Sequence, residues 1–484
     1  MGGYSQLDVA GLCCLALLAA TACGSSDSEL EPECGSEPTI RTTPEGVEYV
    51  RTPDACFENL PDWSYAAKYV EIDGLRQAYI DEGDPDGEVV LLLHGNPTWS
   101  YLYRKVIPVL TEAGFRVVAM DLLGMGRSDK PVDIGYHSYV RHGDRLTRFI
   151  EALDLREITL FAHDWGSLIG LRVAALNLDR FARISLGSGN LPEVPTGAPV
   201  FPPPVEDPDE VSEILSPYDG IPDQQVSFFT SEDQCALIEP YDFTPWFIGW
   251  QTWSMKGASY SVSHVLESLT WFDLPAAEEA AYEAPFPSRM YMAGPRTFPS
   301  LVVAEAGDTQ QAWALLSDFD GPFLTIWGDN DHLDIGACSV QDNFICRVPG
   351  AAGQPHARIP EASHYLPDDQ GAQLGQRLVS FIRGDGTFAA SYSVECEAGG
   401  GGVGTMCTSD SDCTALEGGV CLVFGAAGGI CSVEGCTAGS CGEGAACCRD
   451  CNPDVAAMLP FDESACFPEA AVSMVTMSIG CTCD

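Results

Sequence analysis

Short apolar runs recur along the chain, each followed by a turn-rich motif and then by residues at helical spacing. Val89 to Leu93 precedes HGNPTWS, Arg116 to Met120 precedes DLLGMGRSD, and Ile158 to Phe161 precedes AHDWG. Runs this short, aliphatic and without polar alternation predict strands buried on both faces. Strand, loop and helix in repetition predict a parallel sheet covered by helices, an α/β architecture. Ahead of them, Tyr69 to Gly83 alternates around Asp73-Gly74 and predicts a hairpin. Ser138 to Leu153 puts Leu146, Phe149, Ile150 and Leu153 on one helical face, whereas Leu168 to Leu178 is apolar almost all round, as in a buried helix. Strand pattern returns at Ile184 to Gly187, Phe323 to Trp327 and Ala357 to Ile359, and a closing helix spans about Ala372 to Ile382.

Between Leu191 and Pro295 this alternation stops. The stretch is rich in Pro, Asp, Glu and Trp, with helical patches at Ser261 to Leu269 and Pro275 to Tyr282. So long an insertion between strands predicts a helical cap over the site. The expected division is 1–23 export signal, 24–46 flexible tether, 47–190 first part of the core, 191–295 cap, 296–384 second part of the core, and 385–484 a separate disulfide-rich module.

Cysteine usage gives the compartment. The apolar run Val9 to Ala22 is too short to span a bilayer and reads as a signal h-region. It ends in Ala20-Thr21-Ala22-Cys23-Gly24, which resembles a bacterial lipobox with Cys23 as the lipidated residue; a plain secretory signal is the alternative. Of 21 cysteines, setting aside Cys13, Cys14 and Cys23 leaves an even number, 13 of them between Cys396 and Cys483. That tail has no histidine and no repeated Cys-x-x-Cys pairs, so disulfides in an oxidising compartment are expected, not a metal cluster. By proximity in sequence, Cys34 would pair with Cys56 and Cys338 with Cys346, leaving Cys235 without an obvious partner. An exported protein, in the cell envelope as a lipoprotein or secreted, is the expectation. The formal charge of −46 excludes nucleic acid and anionic membrane as partners, apart from a lipid anchor at Cys23.

The chemistry centres on Ile158 to Gly170, ITLFAHDWGSLIG, with its helix read from Ser167. Small residues two before and two after a central position fit the tight strand-to-helix turn of a nucleophile elbow, and Asp164 stands at its apex. A carboxylate that attacks carbon forms an ester, which water must then hydrolyse, so the substrates implied are alkyl halides or epoxides. Taken alone, such an Asp is more often a turn residue or helix cap. His364, on the loop after the last strand, is where a base should stand. The other histidines, His94, His137, His142, His163, His264, His332 and His356, lack that placement. Glycine-terminated Phe323 to Gly328 offers Asp331 as the acid that fixes the imidazole, with Asp329 as runner-up. HGNP, after a strand beside the elbow, can offer the backbone N–H of Asn96 alongside that of Trp165 as an oxyanion hole.

HGNPTWSYLYRKVIP, DLLGMGRSDKP, HDWGS, YEAPFPSRMYMAGPRTFP and SHYLPDDQG, in this order over about Val47 to Gly384, closely resemble the haloalkane dehalogenases. The resemblance implies an α/β-hydrolase core with a mostly parallel eight-stranded sheet, hydrolysis of a carbon–halogen bond by water, and neither metal nor organic cofactor. It implies Asp164 as nucleophile, His364 as base, Asp331 as acid, and the Trp165 indole as a halide donor. RTPDACFENL resembles the subgroup that places its acid after the later strand and draws its second donor from a cap tryptophan, here Trp250. Asn96 matches the second donor of other subgroups. A monomeric catalytic core acting on a small halogenated alkane is expected.

Two rivals remain at this stage. An epoxide hydrolase would share the elbow and triad and use cap tyrosines, for which Tyr241, Tyr260, Tyr282 and Tyr291 are the candidates. A catalytically silent, surface-anchored binding protein is the other. The complete set Asp164, Asp331 and His364 argues against it.

Overall fold

The computed structural model describes residues 32–191, 250–251, 253–255, 257, 260–301, 306–331 and 336–396, and beyond these only six short strands in the C-terminal extension. Cys23, Tyr241, His332 and Cys235 lie outside the described residues.

Eight strands form one sheet: β1 Lys68–Ile72, β2 Leu75–Gly83, β3 Val89–Leu93, β4 Arg116–Met120, β5 Ile158–Asp164, β6 Phe181–Gly189, β7 Phe323–Gly328 and β8 Ala357–Ile359. Their order across the sheet is β8-β7-β6-β5-β3-β4-β2-β1. β1 and β2 are the antiparallel hairpin, turning at Asp73 (φ 51°) and Gly74 (φ 70°), and β2 runs antiparallel to β4. From β4 to β8 every pairing is parallel. The central strands are buried at all but one terminal residue each, which explains why they read as unbroken apolar runs. All parallel strands therefore end at the same edge of the sheet, where Asp164 closes β5 and Asp331 and His364 follow β7 and β8.

Helix Tyr139–Ala152 is capped by Ser138, whose side chain accepts the Arg141 N–H, and it buries Leu146, Phe149 and Ile150. The helix behind the elbow spans Trp165–Leu176 and starts two residues earlier than the pattern suggested. β5 runs on to Asp164, so the turn has no slack between strand and helix. Cap helices Val262–Leu269 and Ala276–Glu283 fall on the two predicted patches, and the closing helix is Gly371–Arg383.

Both chain extensions are more closely tied to the core than the sequence suggested. Arg41–Thr42, in the expected tether, pairs with Glu48–Val50, which in turn pairs with Lys130–Pro131. Cys34 is bonded to Cys56 as expected. Cys338 and Cys346 are not bonded to each other. Both lie on the helix Cys338–Arg347, and eight residues at 1.5 Å rise put them about 12 Å apart, beyond disulfide reach. Cys346 is bonded instead to Cys396 in the extension, and Cys338 is disulfide-bonded too.

Candidate active site

Asp164 closes β5 with φ 50° and ψ −126°, a conformation that a non-glycine residue holds only where its surroundings enforce it. The packing shows what enforces it. A Cβ on Gly166 would lie 2.3 Å from the Leu93 carbonyl oxygen, and one on Gly95 would lie 2.1 Å from Asp164 Oδ1. Strand β3, the HGNP loop and the elbow helix thus pass too close for any side chain at these two glycines. The result is a carboxylate held out at the sheet edge, with Oδ1 accepting the Asn96 backbone N–H at 2.7 Å.

His364 stands between two carboxylates. Its Nε2 is 3.5 Å from Asp164 Oδ2 and its Nδ1 is 3.2 Å from Asp331 Oδ2; both His364 and Asp331 are buried. Asp331 is thus the acid that meets the imidazole, while Asp329 lies in the turn where its N–H donates to the Ile359 carbonyl. Burial alone would depress the His364 pKa. The charge of Asp331 and the hydrogen bonds to Asp164 and Asp331 outweigh burial and push it up to about 10.

The neighbouring His163 has the opposite fate. Its ring lies 4.9 Å from that of His364, and its Nε2 meets the His364 carbonyl oxygen at 2.7 Å, so Nε2 carries the proton and donates. Burial, reinforced by the adjacent His364, pushes its pKa down to about 4. His163 is therefore a neutral clamp on the base loop, a role that its place beside Asp164 in the motif hints at but does not specify. Tyr365 is a second clamp: its hydroxyl donates to the Asn96 carbonyl at 3.1 Å, joining the base loop to the HGNP loop. His94 is structural, accepting the Leu122 N–H at Nε2 and donating from Nδ1 to the Gly95 carbonyl.

Around this centre, the Trp165 ring is buried edge-on against Phe298 at 5.1 Å. Trp250 is half-buried in the cap, 5.7 Å from Trp253 and 6.4 Å from Tyr260. Asn96 is buried, and its Oδ1 has no hydrogen-bond partner among the described residues. Two of the cap tyrosines are engaged elsewhere. Tyr282 donates to Asp368 Oδ2 at 2.5 Å and accepts from Arg104 Nη1 at 3.1 Å, and the Tyr260 hydroxyl donates to the Pro295 carbonyl.

The sheet order, the elbow and the acid and histidine on successive later loops define the alpha/beta hydrolase fold, and residues 88–339 match the family of that description. Within it, the haloalkane dehalogenase of Mycobacterium marinum (strain ATCC BAA-535 / M) is 38% identical over 345 residues, covering 69% of this chain and 100% of the relative. That of Psychrobacter cryohalolentis (strain ATCC BAA-1226 / DSM 17306 / VKM B-2378 / K5) is 37% identical over 346 residues, covering 69% and 98%. The chain belongs to the haloalkane dehalogenase family. The solved structure of the tetrameric haloalkane dehalogenase DpaA from Paraglaciecola agarilytica NO2 has 27% identity and a TM-score of 0.54, covering 68% of this chain and 97% of that one.

Proposed function

We propose that the chain converts a haloalkane and water to an alcohol, a halide ion and a proton, with Asp164 as nucleophile, His364 as base and Asp331 as the acid that orients it. The observation that carries this reading is the imidazole of His364 set between Asp164 Oδ2 and Asp331 Oδ2 at the elbow. Asp164 attacks the carbon in line; its bond to carbon forms as the carbon–halogen bond breaks, and the halide leaves with the electron pair. The indole of Trp165 donates to the departing halide, with Trp250 or the Asn96 amide as second donor.

The high His364 pKa fits the sequence of steps. In the resting enzyme the imidazole is held protonated between two anions. Esterification of Asp164 removes one of those charges, so the His364 pKa falls and its proton passes to solvent. Neutral His364 then takes a proton from water, whose oxygen adds to the Asp164 carbonyl carbon while the Asn96 N–H meets the developing oxyanion. Collapse expels the alkoxide, which takes the second proton of the added water from the Asp164 carboxyl and leaves as alcohol, restoring ionised Asp164 beside protonated His364. The site returns to its starting charges.

Opening of an epoxide is disfavoured because the hydroxyls of two of the four candidate tyrosines, Tyr260 and Tyr282, are engaged by Pro295, Asp368 and Arg104. Halide release from 1,2-dibromoethane and 1-bromobutane, compared with Asp164→Asn, tests the reading. Bromide release that disappears in the variant supports it; opening of styrene oxide without halide release contradicts it.

We also read the chain as exported. The Cys34–Cys56 and Cys346–Cys396 disulfides support an oxidising compartment, and lipidation at Cys23 is the expected anchor. Mass analysis of the mature N-terminus tests this, since an unmodified, uncleaved Met1 would contradict it.

A further inference from the structure

The beginning of the C-terminal extension covers the edge strand β8. The backbone N–H groups of Ser391 and Tyr392 both donate to the His356 carbonyl, at 2.9 and 3.1 Å, and Ser391 Oγ donates to the Arg358 carbonyl. The Tyr392 hydroxyl donates to Asp342 Oδ1 at 2.6 Å, and Cys396 is bonded to Cys346; both partners are on the helix Cys338–Arg347. Two side-chain ties therefore fasten the extension to the helix that follows the Asp331 loop.

Beneath Tyr392 lies Arg358, its guanidinium 5.2 Å from the ring centre. Its Nη2 donates to the Gly336 carbonyl at 2.8 Å and its Nε to Gln341 Oε1 at 3.0 Å. Gly336 abuts the acid directly. A Cβ there would lie 2.2 Å from the Asp331 carbonyl oxygen and 2.7 Å from its Cγ. Contacts thus run without a break from the Tyr392 ring through Arg358 and Gly336 to the carboxyl that meets His364.

Resting on the role given to Asp331 above, we propose that Arg358 is a positioning residue for the catalytic acid, held in place by Tyr392, so that residues 391–396 of the extension are a working part of the catalytic unit. Asp331 acts when His364 takes a proton from water, after Asp164 has been alkylated. Loosening it should slow ester hydrolysis and spare the first step. Uniform destabilisation would not separate the two.

The test is rapid mixing of the full chain with 1-bromobutane, following bromide, for wild type, Tyr392→Ala, Tyr392→Phe, Arg358→Met and Asp331→Asn. Tyr392→Ala and Arg358→Met should keep a burst of one bromide per folded molecule while steady-state turnover falls about tenfold. Tyr392→Phe, which keeps the ring over Arg358, should restore turnover. Full turnover in both Tyr392→Ala and Arg358→Met, beside a slow Asp331→Asn, overturns the proposal, as does a burst that shrinks in step with turnover. Normal turnover in Asp331→Asn overturns instead the assignment of the acid.

Discussion

Two buried charge networks lie close together on the base loop, and they are built on different terms. At Asp368 the carboxylate is saturated: Arg104 binds it with two nitrogens at 2.9 Å, Lys105 at 2.8 Å and the Tyr282 hydroxyl at 2.5 Å. Arg104 also pairs with Glu278 of the cap. Four residues earlier in the chain, His364 meets its two carboxylates only at 3.2 and 3.5 Å. A saturated carboxylate clasps core to cap, whereas one left partly unsatisfied keeps a lone pair free to attack carbon. On the proposed mechanism, stability belongs to the first network and reactivity to the second.

Substitutions that separate these properties sharpen the contrast. The largest effect is expected at Asp164→Asn: steady-state halide release should fall by at least about 10³-fold while the protein stays folded, since an amide there neither attacks carbon nor repels its neighbour. Asp331→Asn should lower turnover by about 10³ to 10⁴, as expected when an imidazole loses the group that fixes its tautomer, and Asp329→Asn should stay close to wild type. The same kinetic assay reads both.

Arg104→Met should act in the opposite way. Leaving Asp368 buried without the two Arg104 hydrogen bonds costs about 3–5 kcal/mol, to be read by urea unfolding, while turnover per folded molecule changes far less. Equal loss of rate and stability in either network would dissolve the distinction.

A smaller effect is expected from pH. The His364 pKa is raised from 6.5 to about 10 in the folded state, so its contribution to stability is complete below pH 6.5 and is lost as pH rises towards 10. Wild type should therefore lose stability over that window more steeply than His364→Gln. Parallel melting curves across pH 6.5 to 10 would contradict it.

The two networks also differ in how far the sequence disclosed them. Asp164 was legible because the elbow needs Gly166 within two residues of it, and His364 because a loop after the last strand can hold a base. Asp73-Gly74 was legible for the same reason: local backbone geometry dictates residue type. Arg104 and Asp368 are 264 residues apart and carry no motif that pairs them. Cys346 and Cys396 are 50 apart, and nearness in sequence pointed wrongly to Cys338. His163 stands beside Asp164 in the motif, but its bond to the His364 carbonyl depends on a strand and a loop 201 residues apart. Long-range pairings of this kind are decided by packing, which periodicity does not encode.

The most direct test of the account is to trap the ester. His364→Gln mixed with 1-bromobutane, quenched and digested, should yield the Asp164 peptide carrying one butyl group, with one bromide released per enzyme molecule. Wild type treated identically should show the adduct only transiently. Bromide released by His364→Gln with no butyl group on Asp164, or an adduct on any other residue, would contradict the account.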